Sequence, residues 1–80
     1  MNPSDISQLI EAGFDSADVT VMSDDNTHYA AIVVAEEFEG KRSIARHQMI
    51  YKTLGPLMGN EIHAMSIQAF TPEEWRQRQA

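Results

Sequence analysis

The 80-residue sequence predicts an α+β domain with the element order α-β-β-α-β-α, a three-stranded mixed sheet packed by helices. Three observations carry that prediction. Two apolar, strand-like runs flank Asp24-Asp25-Asn26, a turn signal, and so read as a hairpin. A helical crossover of roughly 16 residues then leads to a third run, which favours a parallel pair with a right-handed connection. That third run stops at Thr71-Pro72-Glu73-Glu74, where a helix begins.

Residues 4–12 read as a short helix, with Ser4 as its cap and Ile6, Leu9 and Ile10 as its apolar stripe. Gly13 is placed to end it and Phe14 to pack under the turn. Strands are expected near 18–23, 28–35 and 63–70. Val19 and Val21 alternate with Thr20 and Met22, whereas HYAAIVVA is continuously apolar and reads as the more buried strand. Glu36 to Arg42 forms a charged connection containing Gly40. Ser43 then caps a helix whose inner side carries Ile44, His47, Ile50, Tyr51 and Leu54. Gly55-Pro56 breaks it, leaving Leu57 and Met58 room for one further turn. In the third strand Ile62, Ala64 and Ser66 fall on one face, and Met65, Ile67 and Ala69 on the other. Thr71 caps the last helix, Pro72 suits its first turn, and two acids follow where the helix dipole favours negative charge.

Residues 1–80 are expected to form one small domain, since a chain of this length buries only about 60–65% of its unfolded surface in a single core. The absence of Cys excludes disulfides and thiolate ligands. No signal peptide is expected from MNPSDISQLIEAGF, and no apolar stretch approaches the roughly 20 residues of a membrane helix. The expected location is therefore the cytoplasm, with no membrane association. Twelve acids against six bases give a net charge of −6, which disfavours non-specific nucleic-acid binding. Four of the six bases nevertheless lie in one segment, as Lys41, Arg42, Arg46 and Lys52.

The discordant residue is His63, an imidazole at the entrance of an otherwise apolar strand. His28 opens the second strand. If those strands are parallel neighbours, both entrances lie at the same end of the sheet, with backbones about 4.8 Å apart. A lone His in a small domain is usually a packing residue, and His47 on the helix fits that description. Asp24-Asp25-Asn26 lacks EF-hand spacing and reads as a solvated turn, and Glu36, Glu37 and Glu39 as a soluble rim. No Walker loop, GxSxG elbow, HExxH or Cys nucleophile is present, so no enzyme is expected. Basic residues at the start of the second helix suit a KH-like nucleic-acid surface, yet Gly55 to Gly59 has the wrong length and place for a GxxG loop.

Several blocks, in order, resemble the BolA family, and within it the short bacterial IbaG/YrbA-like branch. They are Thr27-His28-Tyr29, Phe38-Glu39-Gly40-Lys41, Arg46-His47-Gln48-Met49-Ile50-Tyr51 and Gly55-Pro56-Leu57-Met58. Ile62-His63-Ala64-Met65-Ser66-Ile67 and Thr71-Pro72-Glu73-Glu74-Trp75 close the series, which spans nearly the whole chain. The resemblance implies a class II KH-like (BolA-like) fold without the GxxG loop. It also implies a non-enzymatic adaptor that partners a monothiol glutaredoxin, in iron–sulfur cluster handling or iron sensing. Partner and chain would share a 2Fe–2S cluster, with thiolates from the glutaredoxin Cys and glutathione. His63 corresponds to the family's C-terminal His ligand. The second ligand comes from the loop between strands one and two, where this sequence departs from the pattern. The Cys of one subfamily would fall near Asp25 or Asn26, and the longer His-bearing loop of another is absent; His28 is the nearest candidate. No cluster is expected in the isolated chain, which should be a monomer, with a homodimer as the alternative. The alternative function is a KH-like DNA-binding transcriptional or stress regulator using Lys41, Arg42 and Arg46, with weak binding.

Overall fold

The hairpin and the crossover fix how the chain is laid down. A computed structural model describes residues 1–79. It contains α1 (Pro3–Ala12), β1 (Ala17–Met22), β2 (His28–Ala35), α2 (Ser43–Leu54), β3 (Ala64–Phe70) and α3 (Pro72–Gln79), with 3-10 turns at Glu36–Phe38 and Gly55–Leu57. The strand order is β1-β2-β3. β1 runs antiparallel to β2, from Ala17 opposite Ala35 to Met22 opposite Ala30. β3 runs parallel to β2, from Ala64 opposite His28 to Phe70 opposite Val34. The expected order, pairing and directions all hold, and each strand lies within one residue of its expected bounds.

β2 is the central strand, which explains its continuous apolar run. Tyr29, Ala31, Val33 and Ala35 point into the core against Ile6 and Ile10 of α1 and Ile50 and Leu54 of α2. The alternate row begins at exposed His28 and ends at buried Val34, where α3 packs over the sheet. Trp75 lies on Phe70, with ring centroids 5.3 Å apart.

Four local expectations are corrected. Asn2, not Ser4, caps α1: its side chain accepts from the Asp5 N–H at 3.0 Å, because Pro3 takes the first helical position. Arg42 occupies the extended cap position of α2, and the Arg46 N–H bonds its carbonyl at 3.0 Å, so Ser43 is already helical. On α2 only Ile50 and Leu54 are fully buried. Ile44 is 68% exposed and Tyr51 is at the surface, because the helix is turned so that Arg46, one turn before Ile50, reaches β3. Ile62 is buried, unlike Ala64 and Ser66. It precedes β3 and makes its own bridge to Met58, and the bend at His63 interrupts the alternation.

The charged connection hides a core residue. Phe38 is fully buried and meets Phe14 edge to face, with centroids 5.4 Å apart. The Arg46 guanidinium sits 5.8 Å from the Phe38 centroid. Arg46 also ties three segments together. Its Nε donates to the Lys41 carbonyl at 2.9 Å and its Nη1 to the Ala69 carbonyl at 3.1 Å. Nη1 and Nη2 reach the two Glu74 carboxylate oxygens at 2.6 and 3.2 Å, a bidentate pair. Glu74 completes a capping box with Thr71. The Thr71 N–H donates to Glu74 Oε1 at 2.9 Å, and the Glu74 N–H donates to Thr71 Oγ1 at 3.2 Å.

The Arg46 hydrogen bonds, and then that of the Thr71 N–H, lower the Glu74 pKa from 4.5 to about 2. A depressed carboxylate contributes stability above its unfolded pKa and loses it as pH falls through the folded value. The predicted loss therefore runs from pH 4.5 down to about 2. An NMR titration should place the Glu74 carboxyl well below an ordinary Glu. In Arg46→Ala that titration should move back up, and the melting temperature at neutral pH should fall. An ordinary Glu74 titration in the wild type would show that the pair does not hold in solution.

Candidate functional site

The parallel register brings the two candidate imidazoles to one end of the sheet. His28 is the first residue of β2, opposite Ala64, and the His63 N–H donates to the Thr27 carbonyl at 3.2 Å. The two residues are thus backbone neighbours across the strand pair. Both side chains are exposed, whereas His47 on α2 is half-buried. His63 stands between two buried residues, Ile62 and Met65, so the core is filled without it.

The loop that delivers His28 is organised by two short polar side chains. Ser23 Oγ accepts from the Asn26 N–H at 2.9 Å and donates to the His28 carbonyl at 2.7 Å, closing the hairpin. Asn26 adopts φ 54°, the left-handed conformation that Asn tolerates in turns. Asp25 Oδ1 accepts from the N–H groups of Thr27 and His28 at 3.0 and 2.9 Å. Its other oxygen, Oδ2, lies 2.9 Å from Nδ1 of the His28 ring. The His28 N–H, the His28 ring and the Thr27 N–H hold the Asp25 carboxyl far below the usual carboxylate range. Asp25 read as part of a solvated turn in the sequence, yet here it governs both the loop and the imidazole. Its signal was legible only as spacing: an Asp two and three residues before the N–H groups it caps, with a His at the third.

Neutral imidazoles are good metal ligands, and two with adjacent backbones can offer nitrogen donors to a centre that another molecule helps to hold. Among the described residues, no group of three or more His, Asp or Glu side chains is arranged to hold a metal ion. The donor set fits part of a cluster's ligation: it supplies imidazoles and, with no Cys in the chain, leaves every thiolate to come from elsewhere.

The basic segment divides in two. Lys41 and Arg42 are exposed, beside the exposed acids Glu36 and Glu39. Arg46 is not available in the same way, since its side chain is 12% exposed and its guanidinium is engaged by Glu74 and two carbonyls. The structure therefore does not bring Lys41, Arg42 and Arg46 together as one free cationic face. The Glu74 partnership spans 28 residues of sequence and had no local signal.

The chain is similar to known proteins in sequence and in fold. Residues 8–74 match the family described as BolA-like protein. The DNA-binding transcriptional regulator BolA of Vibrio cholerae is 41% identical over 51 residues, which cover 64% of this chain and 48% of the relative. The acid stress protein IbaG of Escherichia coli K12 is 43% identical over 58 residues, covering 68% of this chain and 66% of the relative. Against the first of these the chain matches only about half the relative's length. A solved bolA protein homologue from Coxiella burnetii superposes with a TM-score of 0.80 at 36% identity, covering 95% of this chain and 97% of that one. No helix among the described residues is long and apolar enough to cross a membrane. With the family match covering all three strands and α2, and a solved family structure superposing over nearly its whole length, this chain belongs to the BolA-like protein family.

Proposed function

We propose that this chain is a non-enzymatic BolA-type adaptor that partners a monothiol glutaredoxin and shares a 2Fe–2S cluster with it, in iron–sulfur cluster handling or iron sensing. The observation that carries this reading is the pair of exposed imidazoles at adjacent strand entrances, in a chain with no cysteine. Such a site is half a ligand set. A partner bearing a thiolate, with glutathione as a second thiol, completes it. His63 and His28 would hold the cluster on this side. When bound, a cluster with mixed imidazole and thiolate ligation has its potential raised relative to all-thiolate ligation, which suits transfer or sensing. The chain's own contribution is placement. β2 and β3 fix the two backbones, and the filled core behind them leaves both rings exposed to a partner, that of His28 with its Nδ1 facing Asp25.

DNA binding is the second reading, favoured by the similarity to the DNA-binding transcriptional regulator BolA of Vibrio cholerae. Arg46 is held by Glu74, and the remaining bases sit on a chain of net charge −6. Any binding through Lys41 and Arg42 should therefore be weak and vanish at moderate salt. Sub-micromolar binding at physiological salt would reverse the ranking of the two readings.

Co-expression with the host's monothiol glutaredoxin tests the adaptor reading, with visible absorption and circular dichroism of the complex as readouts. His63→Ala should change stability by no more than about 0.5 kcal/mol, as for other surface substitutions. It should nevertheless alter the cluster spectrum and loosen the complex. His47→Ala, at a half-buried position, should mainly lower the melting temperature. A His63→Ala variant that melts several degrees lower while its complex keeps the wild-type spectrum would remove His63 from the site.

A further inference from the structure

The hairpin loop contains a carboxylate whose two oxygens do separate jobs. Oδ1 of Asp25 faces the backbone and accepts from Thr27 and His28 N–H, at 3.0 and 2.9 Å. Oδ2 faces the His28 ring at Nδ1, 2.9 Å away. A carboxylate can only accept, so the ring nitrogen facing it carries the proton. In a neutral imidazole the other nitrogen, Nε2, then holds the free lone pair. The ring remains 67% exposed, so Nε2 is open to a ligand. Ser23 adds further bonds to the loop, to the Asn26 N–H, the His28 carbonyl and Asp25 itself. The ring is therefore anchored at two points: its backbone is fixed by the β2 register and the Asp25 cap, its Nδ1 by Oδ2.

We propose that Asp25 is a positioning residue that sets the tautomer and direction of His28, making Nε2 the atom that ligates the shared centre. This deepens the adaptor reading and rests on it. A carboxylate behind a ligating imidazole fixes the ring orientation and raises the ligand's basicity, and losing such a partner typically costs about 10–100-fold in metal affinity. It also accounts for an Asp in a loop whose turn geometry needs no carboxylate. A single amide oxygen would satisfy the same backbone caps.

That distinction gives a clean variant. Asp25→Asn keeps a carbonyl oxygen for the Thr27 and His28 N–H groups, so the loop should stay folded. Its amide NH2 now faces Nδ1 and donates, which moves the ring proton to Nε2 and blocks the lone pair that would ligate. Long-range nitrogen–proton correlation spectra of the isolated chain, at alkaline pH where imidazoles are neutral, read the tautomer directly. The wild type should show the Nδ1–H form and Asp25→Asn the Nε2–H form. In the glutaredoxin complex, Asp25→Asn should weaken cluster-dependent association by about 10–100-fold. It should also shift the visible circular dichroism as His28→Ala does, and have no further effect when added to His28→Ala. An Nε2–H wild type overturns the proposal without reference to any cluster. If the complexes of both variants keep the wild-type spectrum, the His28 assignment is overturned, and His63 and the adaptor reading stand. If the wild type forms no cluster-bearing complex at all, the adaptor reading fails and the ligand role of His28 falls with it.

Discussion

The parallel pairing of β2 with β3 is the constraint on which the rest of the structure depends. Two parallel strands cannot be joined by a tight turn, so the chain must travel back along the sheet before starting β3. α2 makes that journey, and in doing so covers one face of the sheet with Ile50 and Leu54. The face so covered explains why Tyr29, Ala31, Val33 and Ala35 are buried. The same pairing starts β2 and β3 at one end, which is why residues 35 positions apart in sequence, His28 and His63, become backbone neighbours. Core and candidate site are thus two outcomes of one topological choice.

The sheet has a structural end and an open end. At the far end Arg46 joins the start of α2 to the end of β3 and to α3, through Lys41, Ala69 and Glu74. Thr71, almost fully buried, caps α3 there, and Trp75 covers Phe70. At the strand entrances the polar groups are arranged differently. Asp25 and His28 are both well exposed and are held by the bonds of the short loop 23–27 rather than by packing. Each end uses one carboxylate facing one nitrogen-bearing side chain, but the first joins distant segments and the second faces a ring within its own loop. Substitutions at the entrances are therefore separable from stability in a way that substitutions at Arg46 are not.

Much of this was legible in the sequence because the responsible signals are local. The Asp24 to Asn26 turn, the unbroken apolar run of β2 and the Thr71-Pro72-Glu73-Glu74 cap each specify an element without help from distant residues. The helix starts shifted by a residue or more because Pro3 and the Arg42–Arg46 backbone bond decide them, not the nearest Ser. The exposure of Ile44 and Tyr51 on α2 has no local signal, since helical spacing admits several rotations and only the reach of Arg46 to β3 selects one. Phe38 looked like part of a polar connection, and its burial against Phe14 depends on where two loops meet. For the site, the register placed His28 and His63 together, while the role of Asp25 depended on how one loop folds back on itself.

In the adaptor reading, imidazole nitrogen from this chain reaches the iron of a shared cluster. The most direct measurement is pulsed electron paramagnetic resonance on the reduced complex with glutaredoxin, prepared with this chain's histidines labelled with nitrogen-15 and the partner unlabelled. The account predicts strong hyperfine coupling from directly bound imidazole nitrogen that changes isotope character with the label and is lost in part in His63→Ala. A reduced cluster with no label-dependent nitrogen coupling would contradict it.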